Sequence, residues 1–562
     1  MEAAHAYPSE SAPVFVHPNR FLVYPQAGNP NILIVPPPFL VIDPSVPPPS
    51  PSGVLVPFNP PIGTMNPALL RRIDEERSMS LLQFMANEGL VPSPEEEQKR
   101  DNAIQKLKQI VSSWIKKVAW QRRLPKHQIA VTSATILTYG SYGLGVHSPE
   151  SDIDALCVGP FFATIAEDFF VVLHNMLKRR PEVSEIHCVK SAKVPLMRFK
   201  FDGISIDLPY ARLKVLYVPE NVDILNPFFL RNIDETSWKS LSGVRANKRI
   251  LQLVPNVKNF QSMLRCLKLW AKRRGVYGTL LGYLGGVHLA ILAAYVCQRY
   301  PDASFNALIM NFFRTFAFWP WPTPVMLNEG MYPSTADIIE TRSLMPIRLP
   351  SSPYEYCHSN ITRSTFYRIR TEFVRGHHIT RDVLKPNFSW DSVFEHFPYS
   401  RRYSQFVKIY LSTLNQDELG DWVGWVKSRF RGLLLKLEEE VQGFCDPNPT
   451  EYVDTEKTEP NMVFFWGLQH NRNNLVDINL VEGEFLKNIS NGFDGNPGKM
   501  ELSIVLASQL PKNAKFDNGS VKGSTKSYWK IVEYDKKRSP PCLVGRVAVD
   551  GEEADCPGSG DR

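Results

Sequence analysis

Cysteine is scarce in this chain, with 8 residues among 562. The cysteines are scattered along the sequence, and none belongs to a Cys-x-x-Cys pair. Structural zinc sites and disulfide frameworks need closely spaced or paired cysteines, so the pattern argues against both and predicts a reducing compartment.

Long apolar segments are also missing. The longest, residues 281–297, contains His288 and several glycines, whereas a membrane span needs about 20 predominantly apolar residues. We therefore predict a buried helix there and no membrane partner. The first residues lack the basic segment and apolar core of a secretory leader, so no leader is expected.

The chain has no strong excess of one charge, because its net charge is only +7. That value permits nucleic-acid binding without requiring it. Proline is abundant, and residues 1–65 hold 16 of the 46 prolines, which predicts a disordered or polyproline-like arm. The polar, turn-rich residues 516–562 predict a disordered tail.

Two carboxylates mark the most informative stretch, residues 136–160. Asp152 and Asp154 are two residues apart on a predicted strand, so both point to one face while the apolar residues between and after them point into the core. Paired carboxylates suit Mg²⁺, which completes its shell with water and substrate phosphates. Upstream, Gly140 and Ser141 would let the backbone approach phosphate oxygens closely.

A third carboxylate, Asp207, ends the next strand-like run, where Ile204 and Ile206 share the opposite face. Asp202 precedes Gly203 and predicts a hairpin turn instead. Three carboxylates suffice to hold two metal ions, which would activate a 3′-hydroxyl and stabilise a leaving pyrophosphate. The whole combination resembles the signature of the nucleotidyltransferase superfamily.

Helical patterns flank this region. Apolar residues at helical spacing predict helices at 68–88, 95–120 and 169–178, the second of which would back the catalytic sheet. Residues 183–189 are predicted as a middle strand.

A further helix is predicted from Val254-Pro-Asn onward, and Lys268 lies at the edge of its apolar stripe among other basic residues. The position suits either an ordinary solvated lysine or a ligand for triphosphate. Tyr277 and Gly285-Gly286-Val287 would form either a wall for a base or a place of close helix packing.

Strand and helix patterns alternate near the end of the chain. Strands are predicted at 406–411, 462–468 and 502–506 and one helix at 416–437. Residues 361–436 carry thirteen Lys and Arg against seven Asp and Glu. The pattern suits an RNA-binding sheet like that of the RRM, in which aromatic side chains stack on bases. A basic α/β domain with buried aromatics is the alternative.

The chain resembles the eukaryotic nuclear-type poly(A) polymerases, in a plant-like short form, from about residue 67 to about residue 511. The resemblance rests on Tyr139-Gly-Ser-Tyr-Gly-Leu-Gly-Val-His-Ser, Ser151-Asp-Ile-Asp-Ala-Leu-Cys-Val, Phe201-Asp-Gly-Ile-Ser-Ile-Asp, Leu253-Val-Pro-Asn-Val and residues 268–287. It implies an α+β fold: a nucleotidyltransferase palm of mixed sheet and helices, a helical central domain and an RRM-like C-terminal RNA-binding domain. The expected bounds are 1–65 for the arm, 66–100 for an N-terminal helical part of the central domain, 101–213 for the palm, 214–350 for the central domain, 351–515 for the RNA-binding domain and 516–562 for the tail.

The resemblance also implies roles for individual residues. Asp152, Asp154 and Asp207 would be catalytic and bind Mg²⁺, or alternatively Mn²⁺. The expected ATP contacts are Tyr139, Gly140, Ser141, Ser148, Asp207, Lys268, Tyr277, Gly286 and Val287. Four positions depart from the family pattern: Gly143 and Arg198 stand where it has Arg and Lys, and Ser242 and Thr279 stand where it has Asn.

The implied activity is template-independent transfer of AMP from ATP to RNA 3′ ends, as in mRNA polyadenylation. RNA, ATP and cleavage and polyadenylation factors are the implied partners, and a monomer is expected. The nucleus is the expected location, with a cytoplasmic pool as the alternative because a long basic C-terminal tail is missing. Uridylyl or mixed tailing, and a catalytically weak RNA-binding scaffold, are the alternative functions.

Overall fold

The structure is a computed structural model that describes residues 66–190, 192–328, 342–350, 355–469, 477–493, 495–510 and 529–531. Contacts between Cα atoms divide the chain into residues 1–70 and residues 71–562. The predicted arm at 1–65 lies outside the described residues.

Helices and strands alternate in two regions of the chain, and the chain between these regions is mainly helical. The α-helices are α1 (Pro67–Asn87), α2 (Pro94–Gln121), α3 (Lys126–Val131), α4 (Gly140–Gly143), α5 (His174–Lys178), α6 (Glu235–Leu253), α7 (Val257–Arg273), α8 (Gly286–Arg299), α9 (Phe305–Ala317), α10 (Arg363–Thr380), α11 (Asp391–Phe394), α12 (Tyr399–Arg402), α13 (Gln416–Lys427), α14 (Phe430–Val441) and α15 (Ile478–Ser490). The strands are β1 (Thr135–Tyr139), β2 (Ile153–Gly159), β3 (Val183–Val189), β4 (Leu196–Phe201), β5 (Ile204–Arg212), β6 (Gln405–Ser412), β7 (Phe444–Pro447), β8 (Tyr452–Asp454), β9 (Asn461–Gln469), β10 (Lys499–Leu506) and β11 (Trp529–Ile531). A π segment covers Ile165–Leu173, and 3₁₀ segments cover Pro227–Leu230, Thr279–Leu281 and Ala507–Gln509.

Five of the described strands form a mixed sheet in the order β1-β2-β5-β4-β3. Strands β2 and β5 run parallel, and the other pairs are antiparallel. The β4–β5 hairpin turns at Asp202 and Gly203, whose φ angles of 48° and 80° are left-handed, so the predicted turn is confirmed. The strand predicted at 183–189 exists as β3, but it lies at the edge of the sheet and not in the middle.

Helix α2 covers one face of this sheet. A capping box starts the helix: the Glu96 N–H donates to Ser93 Oγ at 3.2 Å, and the Ser93 N–H donates to the Glu96 carboxylate at 2.8 Å. Apolar residues at helical spacing follow, and Leu107 and Trp114 are fully buried against the sheet. The opposite face of β2 and β5 packs its apolar residues against α6. The predicted boundary at residue 100 therefore falls inside a continuous helix.

Helices fill the chain between the two sheets. The predicted apolar stripe of α7 is buried at Phe260, Leu264, Leu267 and Ala271, and the Asn256 side chain caps the helix by accepting from Asn259 N–H at 3.0 Å. The buried helix predicted at 281–297 corresponds to α8, which begins at Gly286 and ends at Arg299. No helix among the described residues is long and apolar enough to cross a membrane.

A second sheet follows, with the order β10-β6-β9-β8-β11 and with β7 also paired to β9. One face packs on α13, α14 and α15. On the other face Phe406, Tyr410 and Phe465 are at most 5% exposed and pack with Tyr399 and Tyr403. Rings buried in this way are not available to stack on bases, although the sequence had suggested that role for aromatic side chains of this sheet. The RRM-like character of this sheet stays a prediction.

Two predicted helices differ from the structure. The helix predicted at 416–437 is interrupted between α13 and α14. Here the Arg429 N–H bonds to Val426 O, three residues back, and the Arg429 guanidinium donates to Trp425 O, which a continuous helix would use. The helix predicted at 169–178 begins earlier, as the π segment that α5 continues.

The predicted tail at 516–562 lies mostly outside the described residues. Trp529–Ile531 is the exception, because it forms β11 and pairs antiparallel with β8. The prediction of disorder is therefore wrong for these three residues. A β-prone triplet in a polar stretch is too short to stand out in the sequence.

Candidate active site

A row of side chains crosses the first sheet from β1 to β3. The register pairs Tyr139 with Asp154, Asp154 with Asp207, Asp207 with Arg198 and Arg198 with His187. Directly paired residues project from the same face of a sheet. The row thus brings Asp154 and Asp207, which are 53 positions apart in the sequence, onto neighbouring strands, with Asp152 just before β2.

Asp207 is bound by an arginine of this row. The Arg198 guanidinium donates from Nε to Oδ1 and from Nη2 to Oδ2, each at 2.7 Å. The Arg198 side chain is 58% exposed, whereas that of Asp207 is 15% exposed. Both carboxylate oxygens of Asp207 are therefore engaged by one exposed cation.

A tight turn at Gly140 connects β1 to the loop that leads to β2. Gly140 has a φ of +62°, and a Cβ at this position would lie 1.8 Å from Asp154 Oδ2. Only glycine allows both the left-handed backbone and this close approach. The Gly140 backbone thus lies close to the Asp154 carboxylate, and its approach to phosphate oxygens stays a prediction. Farther along the loop, the hydroxyls of Ser148 and Ser151 are 3.0 Å apart.

A cavity of about 590 Å³ collects most of the predicted site residues. Its volume lies within the roughly 300–1,000 Å³ usual for small-molecule sites. The predicted residues that line it are Tyr139, Gly140, Ser141, Ser148, Asp152, Asp154, Lys268, Tyr277, Gly286 and Val287. Sequence reasoning had not assigned the other lining residues, which are Leu144, Val146, Glu150, Ser151, Gly243, Ala246, Asn247, Leu264 and Lys272. Asp207 does not belong to this lining, so the structure brings together every predicted contact except that one.

Carboxylates and lysines share the cavity. Burial and the neighbouring Lys272 lower the pKa of Lys268 to about 8, although Asp152 and Asp154 act in the opposite direction. Burial and the same carboxylates raise the pKa of Tyr277. A bound anion would stabilise the ammonium form of Lys268, so this side of the cavity favours a negatively charged ligand.

Side chains from α2, α6 and α7 hold the backbone of the loop between β1 and β2. Each donates to a loop carbonyl, and the pairs are Asn247 to Gly140 at 2.9 Å, Gln261 to Leu144 at 3.0 Å, Arg265 to Gly145 at 2.5 Å and Arg100 to Pro149 at 2.7 Å. Sequence reasoning missed these contacts because each joins residues far apart in the chain. The cluster of basic residues around Lys268, which includes Arg265, was the only signal.

Of the other three departures from the family pattern, at Gly143, Ser242 and Thr279, only Gly143 has a structural explanation. A Cβ at Gly143 would lie 2.8 Å from Thr138 O, so no larger residue fits this turn without a backbone shift. The Ser242 hydroxyl donates within its own helix at 2.7 Å. The Thr279 carbonyl accepts from Asn360 Nδ2 at 3.0 Å. Neither Ser242 nor Thr279 lines the described cavity.

The carboxylates raise the question of a divalent cation. Asp152 and Asp154 supply hard oxygen ligands at the cavity wall, and Mg²⁺ is commonly held by one or two carboxylates with water and substrate phosphates. These two residues fit such an ion. Within the described ranges there is no group of three or more His, Cys, Asp or Glu side chains arranged to hold a metal, and Asp207 binds Arg198 instead.

The chain is similar to known proteins in sequence and, more weakly, in structure. The family model for the poly(A) polymerase nucleotidyltransferase domain matches residues 59–254, and that for the poly(A) polymerase central domain matches residues 259–396. Nuclear poly(A) polymerase 3 of Arabidopsis thaliana is 60% identical over 493 residues, which cover 86% of this chain and 96% of that protein. Poly(A) polymerase of Dictyostelium discoideum is 37% identical over 478 residues, which cover 81% of this chain and 59% of that protein. A solved structure of the Cid1 poly(U) polymerase aligns with a TM-score of 0.41 and 16% identity, over 57% of this chain and 99% of that one.

Proposed function

The chain belongs to the poly(A) polymerase family, and from that premise we propose that it adds AMP from ATP to RNA 3′ ends without a template. One observation carries the proposal: a single cavity collects Asp152 and Asp154, the Gly140 turn and Lys268. This combination suits a nucleoside triphosphate together with a cation. Uridylyl or mixed tailing and a scaffold role are not favoured by the names of the relatives.

The proposed reaction is an in-line displacement at phosphorus. The RNA 3′-hydroxyl gives its proton to water and its oxygen attacks the α-phosphorus of ATP. A new P–O bond forms, the bond from the α-phosphorus to the bridging oxygen of the β-phosphate breaks, and pyrophosphate leaves. Bound Mg²⁺, or Mn²⁺, would lower the pKa of the hydroxyl and neutralise charge on the leaving group. Asp152, Asp154 and Asp207 are the proposed ligands and the proposed catalytic residues.

The residues that the sequence predicted as ATP contacts are proposed to bind ATP. The Lys268 ammonium and the hydroxyls of Ser141 and Ser148 would bind phosphate oxygens, because they offer donors close to the carboxylates that hold the cation. The other proposed ATP contacts are Tyr139, Gly140, Asp207, Tyr277, Gly286 and Val287. Among them Tyr277 and Val287 offer an apolar surface for the base.

The cellular setting is proposed from the relatives. Their names place them in the nucleus, and we propose the same location, RNA 3′ ends as the substrate and processing factors as partners. The domain bounds and the monomeric state stay predictions.

Primer extension tests the proposed function. The purified chain is given a labelled oligo(A) primer and each of the four NTPs in turn, with Asp152→Ala/Asp154→Ala as the inactive variant and Asp202→Asn, in the β4–β5 turn, as the control. We expect extension with ATP, a loss of at least about a hundredfold in the double variant, and normal extension in the control. Preferred use of UTP, or extension that survives loss of both carboxylates, would overturn the proposal.

A further inference from the structure

Arg198 and Asp207 are joined by the register of the sheet. They are direct partners on β4 and β5, so their Cβ atoms stay close however the surface side chains move. The guanidinium fork covers both oxygens of the carboxylate at 2.7 Å. Such a two-point contact is stronger and more directional than a single charge contact.

The carboxylate that Arg198 covers is also next to Asp154. Those two aspartates are register partners on the parallel strands β2 and β5. A cation held by both Asp154 and Asp207 would be repelled by a guanidinium that covers the Asp207 carboxylate. Arg198 and such a cation are therefore alternatives at Asp207.

We propose that Arg198 is a positioning residue that controls access of a divalent cation to Asp207, so that the cation binds there only when the guanidinium moves away. The inference rests on the proposed function in taking Asp207 as a metal ligand. With a side chain that is 58% exposed, Arg198 has room to leave toward solvent. The cation held by Asp152 and Asp154 alone would not require this movement.

An ion pair that serves only folding makes a different prediction. Removing Arg198 would then lower stability and leave cation affinity unchanged. If Arg198 instead competes with the cation, its removal raises cation affinity. A lysine at the same position keeps the positive charge but lacks the planar fork, so Arg198→Lys separates the fork from the charge.

Direct binding of Mn²⁺ tests this inference. Free Mn²⁺ is measured by electron paramagnetic resonance in titrations of the full chain without ATP or RNA, for wild type, Arg198→Lys, Arg198→Met and Lys200→Met. Lys200 lies two residues along β4 on the same face and pairs with Glu185 at 2.8 Å, so it is the matched control for loss of a charge. We expect Arg198→Met to bind Mn²⁺ more tightly by roughly three- to tenfold, Arg198→Lys to gain less because it keeps the charge, and Lys200→Met to match wild type.

A second comparison isolates the carboxylate. In an Asp207→Asn background the same Arg198 substitutions should no longer change Mn²⁺ affinity, and the thermal midpoint of each variant shows that it is folded. Unchanged affinity in both Arg198 variants would overturn the inference, as would an equal gain in Lys200→Met or a gain that persists without Asp207. Because no ATP is present, these outcomes are independent of whether the chain adds AMP to RNA.

Discussion

Lys268 is the residue whose ionisation most directly links the cavity to its ligand. Burial and Lys272 lower its pKa to about 8, from the 10.5 of an exposed lysine, while Asp152 and Asp154 counteract part of that effect. In the free protein the ammonium form is therefore present below pH 8 and is lost as the pH rises through that value. A triphosphate beside Lys268 would favour the ammonium form and raise its pKa again.

This shift predicts a pH dependence of ATP binding. Above pH 8, ATP binds together with a proton taken up by Lys268, so the dissociation constant should rise with pH by at most about tenfold per unit until the pKa of the complex is reached. Fluorescence titration with an ATP analogue from pH 7 to pH 10 measures the dissociation constant.

The pKa of Lys268 also affects folding. The folded protein holds this proton less tightly than the unfolded chain, so the same group makes folding more favourable as the pH rises from 8 to 10.5.

Two variants test the assignment to Lys268. Lys268→Met should bind the analogue more weakly at pH 7 and lose the dependence above pH 8. Lys258→Met, which removes an exposed lysine from the same helix, should behave as wild type. A slope that persists in Lys268→Met would assign the titration to another group.

At the residue level, placement could be predicted where the signal was local. The common face of Asp152 and Asp154 follows from period-two alternation, and the Asp202–Gly203 turn follows from its residue types. The pairing of Arg198 with Asp207 was not found, because it depends on which strands become neighbours. Sequence spacing does not state that order.

At the scale of elements, the loop between β1 and β2 depends on α2. The Arg100 side chain is 4% exposed and donates to Pro149 O, next to Ser148 in the cavity wall. Burial lowers the pKa of Arg100, although nearby Glu97 counteracts this. The energy of burying this cation is thus offset by its contacts with the loop. Through these contacts α2 fixes the position of the loop that forms part of the cavity wall.

Loss of this contact should weaken ATP binding. Arg100→Met leaves the Pro149 carbonyl without its donor, at a cost of about 1–3 kcal/mol, and we expect the KM for ATP to rise about tenfold while kcat changes less. Steady-state kinetics of primer extension measure both constants. Lys108→Met is the control. Lys108 also lies on α2, and its ammonium pairs with Glu220 at 2.9 Å. A lower thermal midpoint with an unchanged KM would contradict this role of α2.

Prediction of elements was limited by contacts outside the element. Capping residues and apolar periodicity located α2 to within one residue of each end, because both signals lie inside the helix. The break between α13 and α14 was missed, since Arg429 bonds back to Trp425 O in place of the helical backbone. The second sheet was predicted from the alternation of strand and helix patterns along the chain. The burial of Phe406 and Tyr410 was not predicted, because it comes from the segment with Tyr399 and Tyr403 that packs over them.

At the scale of the molecule, a buried ionic network joins the helical region to the second sheet. Glu372 of α10 accepts from Arg274 Nε at 2.6 Å and from Arg368 Nη1 at 2.7 Å. Arg368 also donates to Asp446 of β7 at 3.2 Å, and Tyr403 donates to the same carboxylate at 2.6 Å. Arg274 directly follows α7, the helix that carries Lys268, so the cavity and the second sheet share this support.

Glu372 holds that network together while being itself 1% exposed. Burial alone would raise its pKa, but Arg368 and Arg274 outweigh burial and lower it. Glu372→Gln would leave two buried guanidinium groups facing a neutral amide. Removing one partner of a buried pair costs about 3–5 kcal/mol, and here Arg368 and Arg274 would keep only Asp446 and the exposed Glu395 as acidic partners among the described residues. We expect a loss of that size in the free energy of unfolding, measured by denaturant titration.

The exposed Glu395 is the matched control for Glu372, because it is also an acidic partner of Arg274. It lies 3.6 Å from Arg274 Nη1 and 2.6 Å from Arg375, but its side chain is 59% exposed. Glu395→Gln should therefore cost less than about 1 kcal/mol. If the network joins both regions, Glu372→Gln should shift the unfolding signals of the helices and of tryptophans in the second sheet together. Equal losses in the two variants, or a shift confined to one region, would mean that the buried ions do not couple them.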